Sequence, residues 1–251
     1  MHQFRQGEFT DFQQHHNSYK KNTKSFWSGS DSLEQFTKNC SDAKLRELLG
    51  NLGWLDPEII SYSYNSHGFR EREFDDSPSG LALGCSHTEG VGLPEQCTWP
   101  KVLSTLTGMK VWNLGVGGFS IDGCYRLLRY WLPRLNVKFV VLSKPASSRV
   151  ETFFCGRPYT MMANFIPEHL IDFYQIWTSD PANEKLQEEK NLYAMNYICQ
   201  QQNVPLLVLD HNAANPTSGQ ARDLMHYGVM DNKKFAEIAY QKLQEILDDF
   251  R

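Results

Sequence analysis

The sequence predicts an α/β three-layer sandwich, a parallel sheet with helices on both faces, preceded by a helical extension. Three observations carry that reading. Short apolar runs recur at Leu81-Ala82-Leu83, Lys110 to Leu114, Val137 to Leu142 and Val204 to Asp210. Stretches of helical spacing separate them, at Trp99 to Leu106, Ser120 to Leu132 and Ala182 to Gln202, and Asn232 to Leu247 follows the last. Regular alternation of strand and helix is the pattern of a parallel sheet, and a near-continuous apolar run such as Val137-Lys138-Phe139-Val140-Val141-Leu142 suits a strand buried on both faces.

The chain has 251 residues, enough for one large domain or one domain with an extension. With 41% hydrophobic and 22% charged residues it reads as an ordinary globular protein, and a net charge of -4 gives no general pull toward nucleic acid or anionic membrane. No apolar stretch approaches spanning length and the first residues lack the apolar core of a signal peptide, so a cytoplasmic location is expected. Cys40, Cys85, Cys97, Cys124, Cys155 and Cys199 have no short paired spacing. They read as reduced thiols rather than as a zinc site or a disulfide framework, and neither a metal nor a cofactor is expected.

Residues 1–77 are expected to form the extension and 78–251 the main domain. The first thirty or so are polar with single aromatics interleaved, which suggests an extended arm or a loosely packed lead-in. His15-His16 lies in it and reads as a solvated pair rather than metal ligands. Leu33, Phe36, Cys40, Ala43, Leu45, Leu48 and Leu49 recur at helical spacing and predict one or two helices between Ser32 and Leu49. Ile59 to Tyr64 alternates as a strand does, and Asp75 to Gly80 reads as a turn closing the extension. Residues 151–180 are rich in aromatics, among them Phe153, Tyr159, Phe165, Phe173 and Trp177. An insertion after a strand's carboxyl end is where α/β folds place caps over a site, although such aromatics also form a cap's own small core.

The candidate chemistry begins at Gly84-Cys85-Ser86, where an apolar strand breaks at a glycine and delivers a serine to the carboxyl edge of the sheet, where open α/β folds bind ligands. A serine there is also a common turn residue or helix cap. What raises it is Asp223-Leu224-Met225-His226 at the far end of the chain. Three residues of spacing let the carboxylate reach the imidazole, set its tautomer and stabilise its cation. Nucleophile, orienter and base then follow in the order Ser86, Asp223, His226. Cys85 is the better intrinsic nucleophile when ionised, yet neighbours on such a turn point to different sides and only one of the two can face His226.

Gly84-Cys85-Ser86, Asn113-Leu114-Gly115-Val116-Gly117-Gly118 and Asp223-x-x-His226 resemble the first, second and fifth sequence blocks of the SGNH (GDSL-like) hydrolase family, over roughly residues 78–250. The resemblance implies a flavodoxin-like parallel sheet, Ser86 as nucleophile, and Asp223 and His226 as the rest of a triad. It also implies an oxyanion hole from the Ser86 amide, a second-block glycine placed at Gly118, and a third-block asparagine. The chain departs from the family at Cys85, where the pattern has Asp, and at the third block, where Ser143 to Glu151 holds no Gly-x-Asn-Asp. Ser147 falls nearest the asparagine's position, while Arg149 offers several charged donors, or pairs with Glu151 or another carboxylate. Asn65-Ser66-His67-Gly68-Phe69-Arg70 is similar to a lead-in of family members that act on carbohydrate esters.

Three functions remain open. The first is a serine esterase acting on a carboxylic ester, with an O-acyl group on a carbohydrate as one substrate class. The second is an acyltransferase that passes the same acyl-enzyme to a sugar hydroxyl. The third is a non-catalytic binding or structural module, favoured by the absent asparagine and opposed by the three intact residues. The partner in the first two is a small-molecule or glycan ester, with neither nucleic acid nor membrane.

Overall fold

A computed structural model describes residues 16–154, 157–163, 166–216 and 220–249. The extension holds β1 (Lys24–Ser25), α1 (Leu33–Ser41), α2 (Ala43–Asn51) and β2 (Tyr62–Ser63). The main domain continues with β3 (Ser79–Leu83), α3 (Ser86–Glu89), α4 (Trp99–Thr107), β4 (Lys110–Asn113), α5 (Ile121–Trp131) and β5 (Val137–Lys144). Then come β6 (Val150–Phe154), β7 (Arg157–Met161), α6 (Ile171–Thr178), α7 (Pro181–Gln201), β8 (Leu206–Asp210) and α8 (Val229–Asp249).

The central sheet is parallel, in the order β4-β3-β5-β8. The first strand of the domain is therefore flanked by the second and third, the doubly wound order with a switch point beside that first strand. Every residue of β3 is buried, and alternate side chains feed opposite layers. Leu81 and Leu83 join Trp112, Val140 and Leu142 under α5 and α7, against Leu127, Leu128, Met195 and Cys199. Ala82, Val111, Phe139 and Val141 face α4 and α8, against Trp99, Leu103, Phe235, Ala236 and Ala239. Burying one such large apolar side chain is worth about 1.5–3 kcal/mol, so these two layers are the main source of stability. Gly80 makes the crossing possible, because a Cβ there would lie 2.3 Å from the Phe139 ring.

Local signals set the helix ends. Ser32, Asp42, Ser120 and Asp180 accept amide hydrogen bonds at the starts of α1, α2, α5 and α7, and Pro181 opens α7. The last sheet strand begins at Leu206 rather than Val204, and the expected strand from Ile59 to Tyr64 shrinks to Tyr62–Ser63. Among the described residues its partner is the two-residue β1, and Ile59 is exposed while Ile60 and Tyr62 enter a third apolar cluster with Leu49, Trp54, Leu93 and Ala221.

That cluster shows how the extension is attached. Among residues 16–30, Lys21 to Phe26 are exposed, as a loosely packed lead-in would be, while Asn17 and Ser28 are buried and the Lys20 ammonium lies 3.7 Å from Glu89 of the main domain. His15 lies outside the described residues, as does the side chain of His16. The aromatic insertion forms a hairpin of β6 and β7 followed by α6. Phe153 and Phe173 are half exposed while Tyr174 is buried, so only part of the aromatic set builds a core; Phe165 lies outside the described residues. Cys40, Cys85, Cys97, Cys124 and Cys199 are free thiols, and Cys155 lies outside the described residues. No helix among the described residues is long and apolar enough to cross a membrane.

Candidate active site

The chain leaves β3 through Gly84, whose φ of 155° and surroundings require glycine: a Cβ would meet Thr88 Oγ1 at 2.1 Å and the Ser143 carbonyl at 2.8 Å. The turn separates the next two side chains. Cys85 packs into the apolar layer with Leu83 and Leu114, whereas Ser86 opens α3 and faces a cavity of about 610 Å3. The thiol is thereby withdrawn from the cavity.

Ser86 Oγ lies 2.7 Å from His226 Nε2, and His226 Nδ1 lies 2.6 Å from Asp223 Oδ2. The Asp223-to-His226 spacing is closed by a tight turn rather than a helical one. Leu224 has φ 57°, a left-handed conformation unusual for a branched residue, and the Ala221 amide donates to the His226 carbonyl at 3.0 Å. Asp223 also accepts from the amides of Met225 and His226 and from the Ser30 hydroxyl, the last at 2.6 Å. Burial pushes the Asp223 carboxyl up, but the His226 ring, the Ser30 hydroxyl and the Met225 amide more than offset it, so it stays below the usual carboxylate range.

The glycine loop after β4 is fastened to α3. Asn113 donates through Nδ2 to the Thr88 carbonyl and accepts from the Gly115 amide, and the Gly117 amide donates to Glu89 Oε2 at 2.6 Å. Glu89 is fully buried and also accepts from the Tyr64 hydroxyl at 2.7 Å, with the Lys20 ammonium 3.7 Å away. Its burial favours the neutral acid, yet Lys20, Tyr64 and the Gly117 amide together hold the carboxyl below its ordinary range. Gly118, with φ 72°, lines the cavity beside Ser86, and its amide makes no hydrogen bond among the described residues.

The altered third block splits. Ser147 is not brought to the cavity: its hydroxyl donates to Glu184 on α7 at 2.5 Å, and it is absent from the cavity wall. Arg149 does line the cavity, and its Nη1 donates to the Phe119 carbonyl at 3.3 Å, next to Gly118. It does not pair with Glu151, because Arg126 holds that carboxylate in a two-pronged contact with both distances 2.8 Å.

Several residues at this site escaped the sequence reading. Ser30, Lys20 and Asn17 come from the extension, and Glu89 and His87 from the turn that carries Ser86. His87 stacks between neighbours, its ring centroid 4.8 Å from that of His226, 5.7 Å from His211 and 4.3 Å from Tyr227. Burial, with the nearby charges of His226, His211 and Arg149, pushes its pKa down to about 3. Position next to Ser86 was the one available hint for His87 and Glu89. Nothing in the sequence pointed to the others. The Asn65 to Arg70 string serves the framework: Asn65 Oδ1 caps its own turn, and Arg70 donates to the carbonyls of Ser61, Gly90 and Leu93.

No family model and no curated protein matches the chain. Among solved structures it is similar to TesA, at TM-score 0.45 and 14% identity over 66% of this chain and 98% of that one. It is also similar to the psychrotrophic esterase EstA from Pseudoalteromonas sp., at TM-score 0.41 and 15% identity over 69% and 100%. A third is AlinE4, an SGNH-hydrolase family esterase, at TM-score 0.35 and 15% identity over 67% and 75%. Likeness at this level carries no argument about activity, which has to come from the site itself.

Proposed function

We propose that the chain is a serine esterase acting through an acyl-enzyme. One observation carries this: a nucleophile, an imidazole and a buried carboxylate in continuous hydrogen-bonded contact, 2.7 Å and 2.6 Å apart, opening onto a cavity that Gly118 also lines. In the first half-reaction Ser86 Oγ attacks the ester carbonyl while His226 Nε2 takes its proton, and Asp223 stabilises the resulting imidazolium. The tetrahedral oxyanion receives hydrogen bonds from the Ser86 and Gly118 amides, with Arg149 adding charge from beside the same loop. The carbon–oxygen bond to the alcohol then breaks, and the alcohol leaves with the proton from His226. Water repeats the sequence: His226 accepts its proton, the hydroxide forms the new bond, and Ser86 Oγ departs protonated as the acid is released.

For the substrate we propose an ester of a polar alcohol, with an O-acylated carbohydrate as the class. The cavity wall sets the rings of Tyr19 and Tyr159 beside Asn17, Ser30 and Thr160, a mixture of aromatic faces and hydrogen-bonding groups suited to a sugar. Incubation with a fluorophosphonate probe followed by mass spectrometry tests the mechanism. Labelling is expected at Ser86 and lost in Ser86→Ala. Absence of labelling in the wild-type chain would remove the esterase reading and leave a binding module.

A further inference from the structure

The extension reaches the candidate triad through two adjacent residues, and the main domain answers with two. Ser30 donates to Asp223, 193 positions away, and Asp31 next to it grips Arg222 through Nε at 2.9 Å and Nη2 at 2.8 Å. The grip is built deep. Asp31 and Arg222 are both buried, and Asp31 also accepts from the Tyr62 hydroxyl at 2.6 Å. The Arg222 guanidinium further donates to the carbonyls of Pro57 and Phe26 and lies over the Trp27 ring at 4.2 Å. The Arg222 amide donates to the Gly92 carbonyl, tying the same turn to the segment after α3.

We propose that Ser28 to Asp31 is a strap that holds the Asp-x-x-His turn in its reactive geometry, with Ser30 as a positioning residue for Asp223. This rests on the triad reading above. The chemistry is specific. Asp223 Oδ2 receives two donors, the His226 ring and the Ser30 hydroxyl, and the second fixes the carboxylate's rotation so that its oxygen stays in line with Nδ1. Ser30 also spreads the negative charge of Asp223. A carboxylate deprived of that donor is more basic and favours the imidazolium more strongly. Loss of Ser30 should therefore favour the ion-paired form of Asp223 and His226, in which the imidazole cannot accept the proton of Ser86.

The groups facing the Asp223–His226 pair are few. His87 lies against the imidazole and stays neutral over the working range, His211 meets His87 in turn, Tyr227 adjoins them, Arg149, Glu89 and Lys20 line the same cavity, and the Asp31–Arg222 ion pair adjoins Asp223. None of these contacts is altered by removing the Ser30 hydroxyl.

The experiment compares wild type, Ser30→Ala, Ser30→Thr and Ser86→Ala on a short-chain aryl ester and with the fluorophosphonate probe. Ser30→Ala is expected to lower kcat by ten- to a hundredfold with KM nearly unchanged, the range for a hydrogen bond to a charged group. The acidic limb of its pH–rate profile should move to higher pH. Ser30→Thr, which keeps the hydroxyl, should restore both; Ser30→Ala takes a donor from a buried carboxylate and is expected to melt somewhat lower, so rates are compared well below its melting temperature. If wild type is labelled at Ser86 and Ser30→Ala matches it in kcat and pH profile, the strap has no positioning role and the proposal fails. A loss of kcat that Ser30→Thr does not restore, or that leaves the acidic limb in place, overturns it equally. If wild type is not labelled at Ser86 at all, it is the triad reading that fails.

Discussion

Replacing His87 with phenylalanine should change how stability depends on pH. The native pKa of His87 is about 3, against about 6.5 for an unperturbed histidine, so between those values the unfolded chain binds a proton that the native state excludes. The sign follows from that difference. Stability from keeping His87 neutral is fully present above about pH 6.5 and is lost as pH falls toward 3. Integrating between pH 7 and pH 5 gives a loss of about 2 kcal/mol, a sizeable part of the 5–15 kcal/mol of an ordinary domain. Phenylalanine keeps an aromatic ring against Tyr227 and His226 but cannot take a proton, and the His87 Nδ1 it removes has no hydrogen-bond partner among the described residues. Urea unfolding of both chains at pH 7 and pH 5 measures the effect: wild type should lose about 2 kcal/mol more than His87→Phe over that interval. Glu89 and Asp223, held below the ordinary carboxylate range, lose their contribution only at lower pH and affect both chains alike. Equal losses in the two proteins would show that His87 does not resist protonation in the folded state.

Two further substitutions separate structure from chemistry. Asp31→Asn leaves the Arg222 guanidinium buried without its counter-charge, which should cost about 3–5 kcal/mol, read as a lower urea midpoint with an unchanged slope; a midpoint within error of wild type would mean that water or another group compensates. Arg149→Ala should reduce kcat with little change in KM if the guanidinium stabilises the oxyanion, whereas a wild-type kcat would leave the hole with the Ser86 and Gly118 amides alone.

The sequence alone determined whatever depends on neighbours along the chain. The alternation of apolar strands and amphipathic helices specified a parallel sheet with helices on both faces, because burial on two faces dictates both periods. Gly84-Cys85-Ser86 and Asp223-x-x-His226 were legible for the same reason: each is a local device, a strand-ending turn and a three-residue reach. Their meeting was not local, since 140 positions separate Ser86 from His226. The tertiary structure decided it by ending β3 at the switch point of the sheet and folding the segment after β8 back over it. Packing also decided between Ser147 and Arg149, sending one to Glu184 and the other to the cavity wall. The extension was the least legible part. Its first thirty residues are polar, and polarity along a chain looks the same whether the groups are solvated or paired in the interior. Ser30, Asp31 and Lys20 meet Asp223, Arg222 and Glu89 only because the third apolar cluster holds the extension against the domain, and buried polar groups find their partners there in three dimensions rather than in sequence.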